Sequence, residues 1–385
     1  MTIKRLTWLI AMLIAMVGTA SAESEYTAET SAEVEEVQAT QEKATIELPA
    51  WVKNIKFSGY GMLQYQGQDP EGNHSNTFNL RLARFILDGK IGDFDWRAQI
   101  QGTNVTGPGQ PTVQLVDLYA EWRKYPEFKV RAGQFKRAFT YENPTNPITQ
   151  GWRGYADVVN KLSAFGDRTG EKSSGGRDIG VQVAGDLFPN ANGRRVLHYQ
   201  VGVYNGEGVN QKDMDNRKDI IAGVWVMPIK GLRIGAFGWT GSRGGMFDPL
   251  TGETRSVEKN RYCLSAEYDL NEYTFRAEYI HSQGWGAASP GNNVREICYE
   301  NGDKADGWYV FGIIPLIKSK LHAKARYQTY RNQKNWATSV NQVECGLNYF
   351  FTKSLELHLE YSHVNDRNLV KHNYNLVDVE LDFRF

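Results

Sequence analysis

The feature that most constrains this chain is a two-residue alternation of apolar and polar side chains, repeated in segments of about ten residues from Trp51 onward. Leu355, Leu357, Leu359 and Tyr361 alternate with Glu356, His358, Glu360 and Ser362. Val377, Val379, Leu381, Phe383 and Phe385 alternate with Asp378, Glu380, Asp382 and Arg384. Successive side chains of a strand point to opposite faces, so each segment has one apolar face and one as charged as a protein surface. Phe94/Trp96/Ala98/Ile100, Val116/Leu118/Ala120/Trp122, Leu197/Tyr199/Val201/Val203, Tyr273/Phe275/Ala277/Tyr279 and Leu321/Ala323/Ala325/Tyr327 behave alike. Sixteen such segments start near residues 55, 77, 93, 114, 127, 177, 196, 218, 231, 260, 272, 307, 319, 340, 354 and 374. Two alternate poorly: near 77, Arg81 and Arg84 fall on opposite parities, and the segment near 307 is apolar almost throughout.

The connections alternate as well. Short turns at Gly92-Asp93, Tyr125-Pro126, Pro189 to Gly193, Pro228 to Gly231, Asp269 to Glu272, Lys318-Ser319 and Thr352-Lys353 are interleaved with long polar stretches. The long stretches lie around 66–76, 102–113, 137–176, 206–217, 242–259, 284–306, 331–339 and 365–373. That rhythm predicts an all-β fold, a transmembrane antiparallel β-barrel of 16 strands with short periplasmic turns and long external loops. A soluble sandwich or β-helix also alternates, and alternation alone leaves open which face is outside. Tyr65, Trp96, Trp122, Tyr125, Tyr204, Trp239, Tyr279, Tyr330, Tyr349 and Tyr361, near strand ends, suit aromatic girdles at the membrane interfaces.

Composition narrows the class further. Only 41% of residues are hydrophobic, and 38 Gly, 20 Tyr, 17 Phe and 10 Trp are spread along the body, which excludes a helical membrane protein. With 44 Lys+Arg against 44 Asp+Glu there is no global field to attract nucleic acid. The one unbroken apolar run, Leu6 to Val17, follows Lys4 and Arg5 and precedes Ala20-Ser21-Ala22, so residues 1–22 are expected to be a cleaved signal peptide. Residues 23–50, rich in Glu, Ala and Thr, are expected to form a flexible or short helical periplasmic arm, and 51–385 the barrel. Cys263, Cys298 and Cys345 have no ligand-like spacing, and parity puts Cys263 in the lumen and Cys345 toward lipid, so no bond between those two is expected.

Three stretches carry a resemblance: FNLRLARFILDGKIGDFDWRAQIQ (78–101), LVDLYAEWRKYPEFKVRAGQFKRAF (115–139) and GRDIGVQVAGDLF (176–188). They resemble the phosphate-selective porin O and P family of Gram-negative outer membranes, most tellingly in Arg81/Arg84 with Gly89, in Gly133-Gln134-Phe135-Lys136 and in Gly176-Arg177-Asp178-Ile179-Gly180. The resemblance implies an outer-membrane location, a homotrimer and a long constriction loop between strands 5 and 6, here 137–176. It also implies outer-membrane lipid and lipopolysaccharide as surroundings, and Phe385 resembles the last-residue signal read by the outer-membrane assembly machinery. Within the loop Val158, Leu162 and Phe165 recur at helical spacing, predicting a short helix packed on the barrel wall.

A porin performs no chemistry: small hydrophilic solutes diffuse through, and the lining charges set selectivity. Residues 136–177 hold seven bases and four acids, which would favour anions, phosphate among them. The expected anion-binding residues are Arg97, Arg123, Lys129 and Arg131 on strands three to five, with Lys136, Arg153, Lys161 and Arg177 from the loop. For each, an ion pair with lumen carboxylates is the plainer reading, because Asp95, Asp117, Glu121, Glu267, Glu278, Glu344, Glu356, Glu360, Asp378, Glu380 and Asp382 share the polar faces. An adhesin or assembly barrel would act through loops such as 242–259, and an outer-membrane hydrolase would need a nucleophile activated by His198, His322 or His358; no motif singles one out. No catalytic residue, metal site or cofactor is expected.

Overall fold

The computed structural model describes residues 55–103, 113–172, 175–289 and 293–385. The predicted signal peptide 1–22, the arm 23–50, and most of the 102–113 loop lie outside the described residues. Sixteen antiparallel strands close into one barrel. They are β1 (Lys56–Gln68), β2 (Ser75–Ile91), β3 (Phe94–Thr103), β4 (Val113–Tyr125), β5 (Phe128–Lys136), β6 (Arg177–Pro189), β7 (Arg195–Tyr204) and β8 (Asp219–Val226), followed by β9 (Leu232–Thr240), β10 (Asn260–Leu270), β11 (Tyr273–Gln283), β12 (Lys304–Ile317), β13 (Leu321–Arg331), β14 (Ser339–Thr352), β15 (Leu355–Asp366) and β16 (Asn373–Arg384). Every strand starts within three residues of its expected position. Closure comes from β16 against β1, with Tyr60 opposite Arg384 and Gln68 opposite Leu376, and the backbone of Phe385 exchanges hydrogen bonds of 2.9 and 3.0 Å with Gly59. The two-residue turn Asn271-Glu272 has φ of 54° and 71°, the primed geometry whose twist matches the strands it joins.

The barrel is polar inside and apolar outside, which answers what alternation left open. Leu63, Phe85, Leu87, Leu118, Val201, Val224, Leu264 and Val310 are exposed, while Glu267, Glu278, Lys324, Arg326, Glu344, Glu360, Asp378, Glu380 and Asp382 are buried. A soluble sandwich would bury the first set and expose the second. Cys263 is buried, Cys345 is exposed and both are free, as parity required.

Where alternation fails, the structure supplies a reason. Met62 pairs with Leu82 and Leu63 with Leu80, so Arg81 is the extra residue of a β-bulge. The bulge resets the parity, and Arg81 and Arg84 both turn inward, to Glu380 at 2.6 Å and to Gln101 at 2.8 and 2.5 Å. A second bulge sets Gln99 against Asp117 and Ile100 against Leu115, turning Val116 into the interior, contrary to its expected outward face. β12 is apolar on both faces because its inner side chains, Tyr309, Phe311 and Ile313, are covered by protein instead of water. Three expected girdle residues, Tyr204, Trp239 and Tyr330, also point inward into that covered core, in keeping with the parity of their own strands.

The cover is the loop 137–176. Its helix α1 (Asp157–Ser163) buries Val158, Val159 and Leu162 against β11, β12 and β13, and Phe165 stacks on Tyr155 with ring centroids 5.8 Å apart. Trp152 lies against Phe311 at 5.9 Å. An irregular segment inside a barrel must still satisfy its backbone polar groups. Here the wall does so: Glu360 accepts from the Arg153 amide at 2.8 Å, Gln328 from Asp157 at 2.6 Å, and Glu278 from Tyr141 at 2.5 Å. Lys324 donates to the Gly151 carbonyl at 2.8 Å, Arg326 to Gly154 at 3.0 Å, and Arg384 to Ile148 at 2.7 Å. The far arm is held by Arg168, which is fully buried and donates to the carbonyls of Gly284, Asn301, Gly302 and Asn332, in two external loops.

Candidate functional site

With the β11–β16 side occupied, the open space lies along β3–β9. A cavity of about 520 Å³ is lined there by six bases, Arg97, Lys129, Arg131, Lys136, Arg177 and Arg233, against two carboxylates, Asp117 and Glu121. A second cavity, of about 390 Å³, shares Arg97, Tyr119, Glu121 and Arg131 with the first and adds Lys56, Lys90 and Arg123, with the carboxylates Asp88 and Asp95, at the short-turn end of the barrel. The shared residues set the two spaces next to each other along one wall, in line for a route.

β-strand geometry places the bases. Lys129 and Arg131 are two apart on β5 and so share its inner face, about 7 Å from each other. Gly133 follows with φ of 132°, and a Cβ there would sit 2.2 Å from the Leu118 carbonyl, so only glycine lets β5 and β4 run this close. The bases are held by ion pairs: Arg97 with Asp88 (2.7 Å), Arg123 with Asp95 (2.5 Å), Lys129 with Asp186 (2.7 Å), Arg131 with Glu121 (2.5 Å), Arg177 with Asp117 (2.7 Å) and Arg233 with Glu267 (2.7 Å). Asp88, Asp186 and Glu267 stand outside the lining of the larger cavity, so the positive ends of those pairs are what it presents. Asp186 also bonds His198 Nδ1 at 2.7 Å, and the His198 ring stacks on Trp225 at 3.9 Å.

Of the eight residues expected from sequence, Arg97, Lys129, Arg131, Lys136 and Arg177 come together on the larger cavity, and Arg123 lies on the smaller. Arg153 and Lys161 line neither: Arg153 faces Glu360 at 3.9 Å, and Lys161 is half-buried on α1. Arg233 joins the group from β9, and its parity on that strand was the signal for it. Arg84 and Arg168 had no such signal, because a bulge and an irregular loop set their directions.

Several of the loop's charges are consumed in buried pairs, within it and with residues beyond it. Arg137 pairs with Glu171 at 2.8 Å, Lys259 pairs with Glu171 and with Asp219, and Arg261 pairs with Asp167 at 2.6 Å, all buried. Burial works to raise the Asp167 carboxyl, but the Arg261 guanidinium together with Lys259 and Arg137 outweighs it and holds the group well below the usual carboxylate range. Glu142 goes the other way. Burial pushes it up to about 7 despite Arg326 and Arg276, with Glu278 adding repulsion. One Glu142 oxygen accepts from the Ala156 amide at 2.9 Å and the other has no hydrogen-bond partner among the described residues. No group of three or more His, Cys, Asp or Glu able to hold a metal occurs among the described residues.

Comparison with known proteins places this geometry. Residues 58–218 match the model of the family described as phosphate-selective porin O and P, the family that the strand motifs resemble. No curated protein sequence matches the chain. Among solved structures, it is similar to an anion-selective porin from Comamonas acidovorans, with 12% identity and a TM-score of 0.61 over 86% of this chain and 99% of that one. It is also similar to Salmonella typhi OmpF in complex with daunomycin, with 12% identity and a TM-score of 0.62 over 86% and 97%. In vitro folded OmpT of Vibrio cholerae, an outer membrane protein in its trimer form, aligns with 14% identity and a TM-score of 0.53 over 86% and 99%. At these identities the likeness shows the fold, a closed porin barrel.

Proposed function

We propose that this porin-fold chain is a passive channel of the Gram-negative outer membrane, conducting small hydrophilic solutes along the β3–β9 wall with a preference for anions. The observation that carries the reading is the six-to-two excess of bases over carboxylates lining the larger cavity. In a narrow, water-filled passage bounded by protein, lining charge of one sign raises the local concentration of the opposite ion. Arg97, Lys129, Arg131, Arg177 and Arg233 form the selective surface, with Arg123 at its short-turn end. Inorganic phosphate is the solute to test first, given the family match over 58–218. Solutes pass unchanged, so no catalytic group or cofactor is involved. The trimeric OmpT relative favours a homotrimer, set in outer-membrane lipid and lipopolysaccharide and delivered by the assembly machinery through Phe385 after removal of residues 1–22.

Planar-bilayer recording across a salt gradient tests this. Stepwise conductance with a reversal potential of anionic sign is expected, and added phosphate should reduce chloride current. Absence of steps refutes the channel, and a cationic reversal potential refutes the basic filter.

A further inference from the structure

Lys136 and Arg84 line up on either side of the loop segment that enters the water path. Pro144, Thr145 and Asn146 of that segment line the larger cavity. Lys136 is the last residue of β5, and all three of its donors are taken: by the Asn143 carbonyl, the Thr145 carbonyl and the Tyr155 hydroxyl, each at 2.7 Å. Tyr155 in turn donates to the Thr145 carbonyl at 2.9 Å. From β2, Arg84 donates to Asn146 Oδ1 at 3.2 Å and to the Tyr60 hydroxyl at 2.7 Å, and Tyr60 donates to the same Asn146 oxygen at 2.8 Å. Two residues further on, Ile148 packs into an apolar cluster with Tyr60, Met62, Leu82 and Ile86.

These two cations differ from the six ion-paired bases of the route. Arg97, Arg123, Lys129, Arg131, Arg177 and Arg233 each have a carboxylate within ion-pair distance, whereas Lys136 and Arg84 have none among the described residues. Arg84 is wholly buried. A buried cation without a counter-charge is costly, and neutral acceptors offset only part of that cost. Such a residue contributes through the groups it holds, and what both hold is the tip 143–146. A lysine whose three donors already converge on fixed acceptors also has none left for a passing solute.

We propose that Lys136 and Arg84 are positioning residues that set the aperture by clamping the loop tip 143–146 between β5 and β2, and that Lys136 does not serve as a direct anion ligand. The proposal rests on the channel reading above and deepens it. It separates two roles within one basic surface: Lys129 and Arg131 present charge to the solute, and Lys136 and Arg84 hold the constriction in place.

The test is single-channel recording of full-length K136R, K136M and N146A beside wild type, with folding checked by heat-modifiable migration. K136R keeps the charge, but a planar fork cannot meet three convergent acceptors as an ammonium does. It is expected to keep the anionic reversal potential while its open level shifts and flickers. N146A, which removes the acceptor of Arg84 and Tyr60 from the loop side and leaves the wall intact, is expected to flicker in the same way. The proposal is overturned if folded K136R and N146A match wild type in conductance and noise, or if K136M changes only the reversal potential and phosphate competition, the behaviour of a direct ligand. A wild-type protein that gives no conductance steps refutes the channel reading instead.

Discussion

The two inner walls of the barrel carry similar kinds of charge and use them differently. Along β3–β9 most ion pairs are partly open to water, with Arg97, Lys129 and Arg131 side chains 33%, 28% and 29% exposed, and Arg177 with Asp117 is the closed one. Along β11–β16 the corresponding groups are sealed: Lys324 with Glu360 and Arg326 with Glu344 are at most 1% exposed, and they bond the loop backbone as well as each other. A pair in contact with water loses much of its attraction to screening but keeps a field that a solute feels. A pair sealed under the loop is costly to break on one side and presents nothing to the route. The mixed lumen read from sequence is therefore two surfaces, one for solutes and one for the loop.

That contrast can be broken most severely on the sealed side. Glu344→Leu leaves the Arg326 guanidinium buried without its carboxylate, and unfolding free energy should fall by about 3–5 kcal/mol, measured by urea titration of the heat-modifiable band. Any barrels that survive should retain the wild-type reversal potential, since Glu344 lies off the route.

Glu142 offers a pH test of the same side. Its folded pKa is raised, from 4.5 to about 7, so the folded state binds the proton more tightly than the unfolded chain. Its contribution is fully present below pH 4.5 and is lost as pH rises through 7, amounting at most to about 3 kcal/mol at 1.36 kcal/mol per unit. Glu142→Gln should lose that slope, so that the stability difference between wild type and variant shrinks as pH rises over pH 4–9. Parallel curves for wild type and variant would show that Glu142 is not the group responsible.

On the open side the expected signature is reversed. Lys129→Gln with Arg131→Gln should move the reversal potential away from anions while stability falls by only about 1 kcal/mol per pair, since both pairs are in contact with water. A large loss of stability with unchanged selectivity would erase the distinction between the walls. Smallest of all, Arg123→Gln touches a base whose side chain is 55% exposed at the end of the route, and only a slight loss of anion preference is expected in the same salt gradient.

Much of the molecule was legible in the residues because its rule is local. Period two, turn residues and loop lengths each act within a strand or a hairpin, so the strand starts, the short and long ends and the helix around Val158 and Leu162 could be placed without a fold. The site was legible in the same degree: Arg97, Lys129 and Arg131 follow from strand parity alone. The misreadings fall where one extra residue changes parity or where a distant segment changes the solvent. Val116 turned inward through a bulge whose partner lies on β3, and Tyr204, Trp239 and Tyr330 looked like girdle residues until the loop supplied an apolar interior for them.

What the sequence by itself determined is the barrel: sixteen alternating segments can satisfy their backbone polar groups in a membrane only by closing on one another. What only the tertiary structure decided is the division of the lumen. Nothing local to Glu360, Gln328 or Lys324 distinguishes them from Lys129 or Arg131. They differ because the loop 137–176 covers β11–β16 but reaches the other wall only in places, through Phe139 and Tyr141 on Phe237 and through its tip at Lys136, leaving open the space beside Lys129 and Arg131. That choice depends on contacts made across the barrel by residues as far apart in the chain as Arg153 and Glu360.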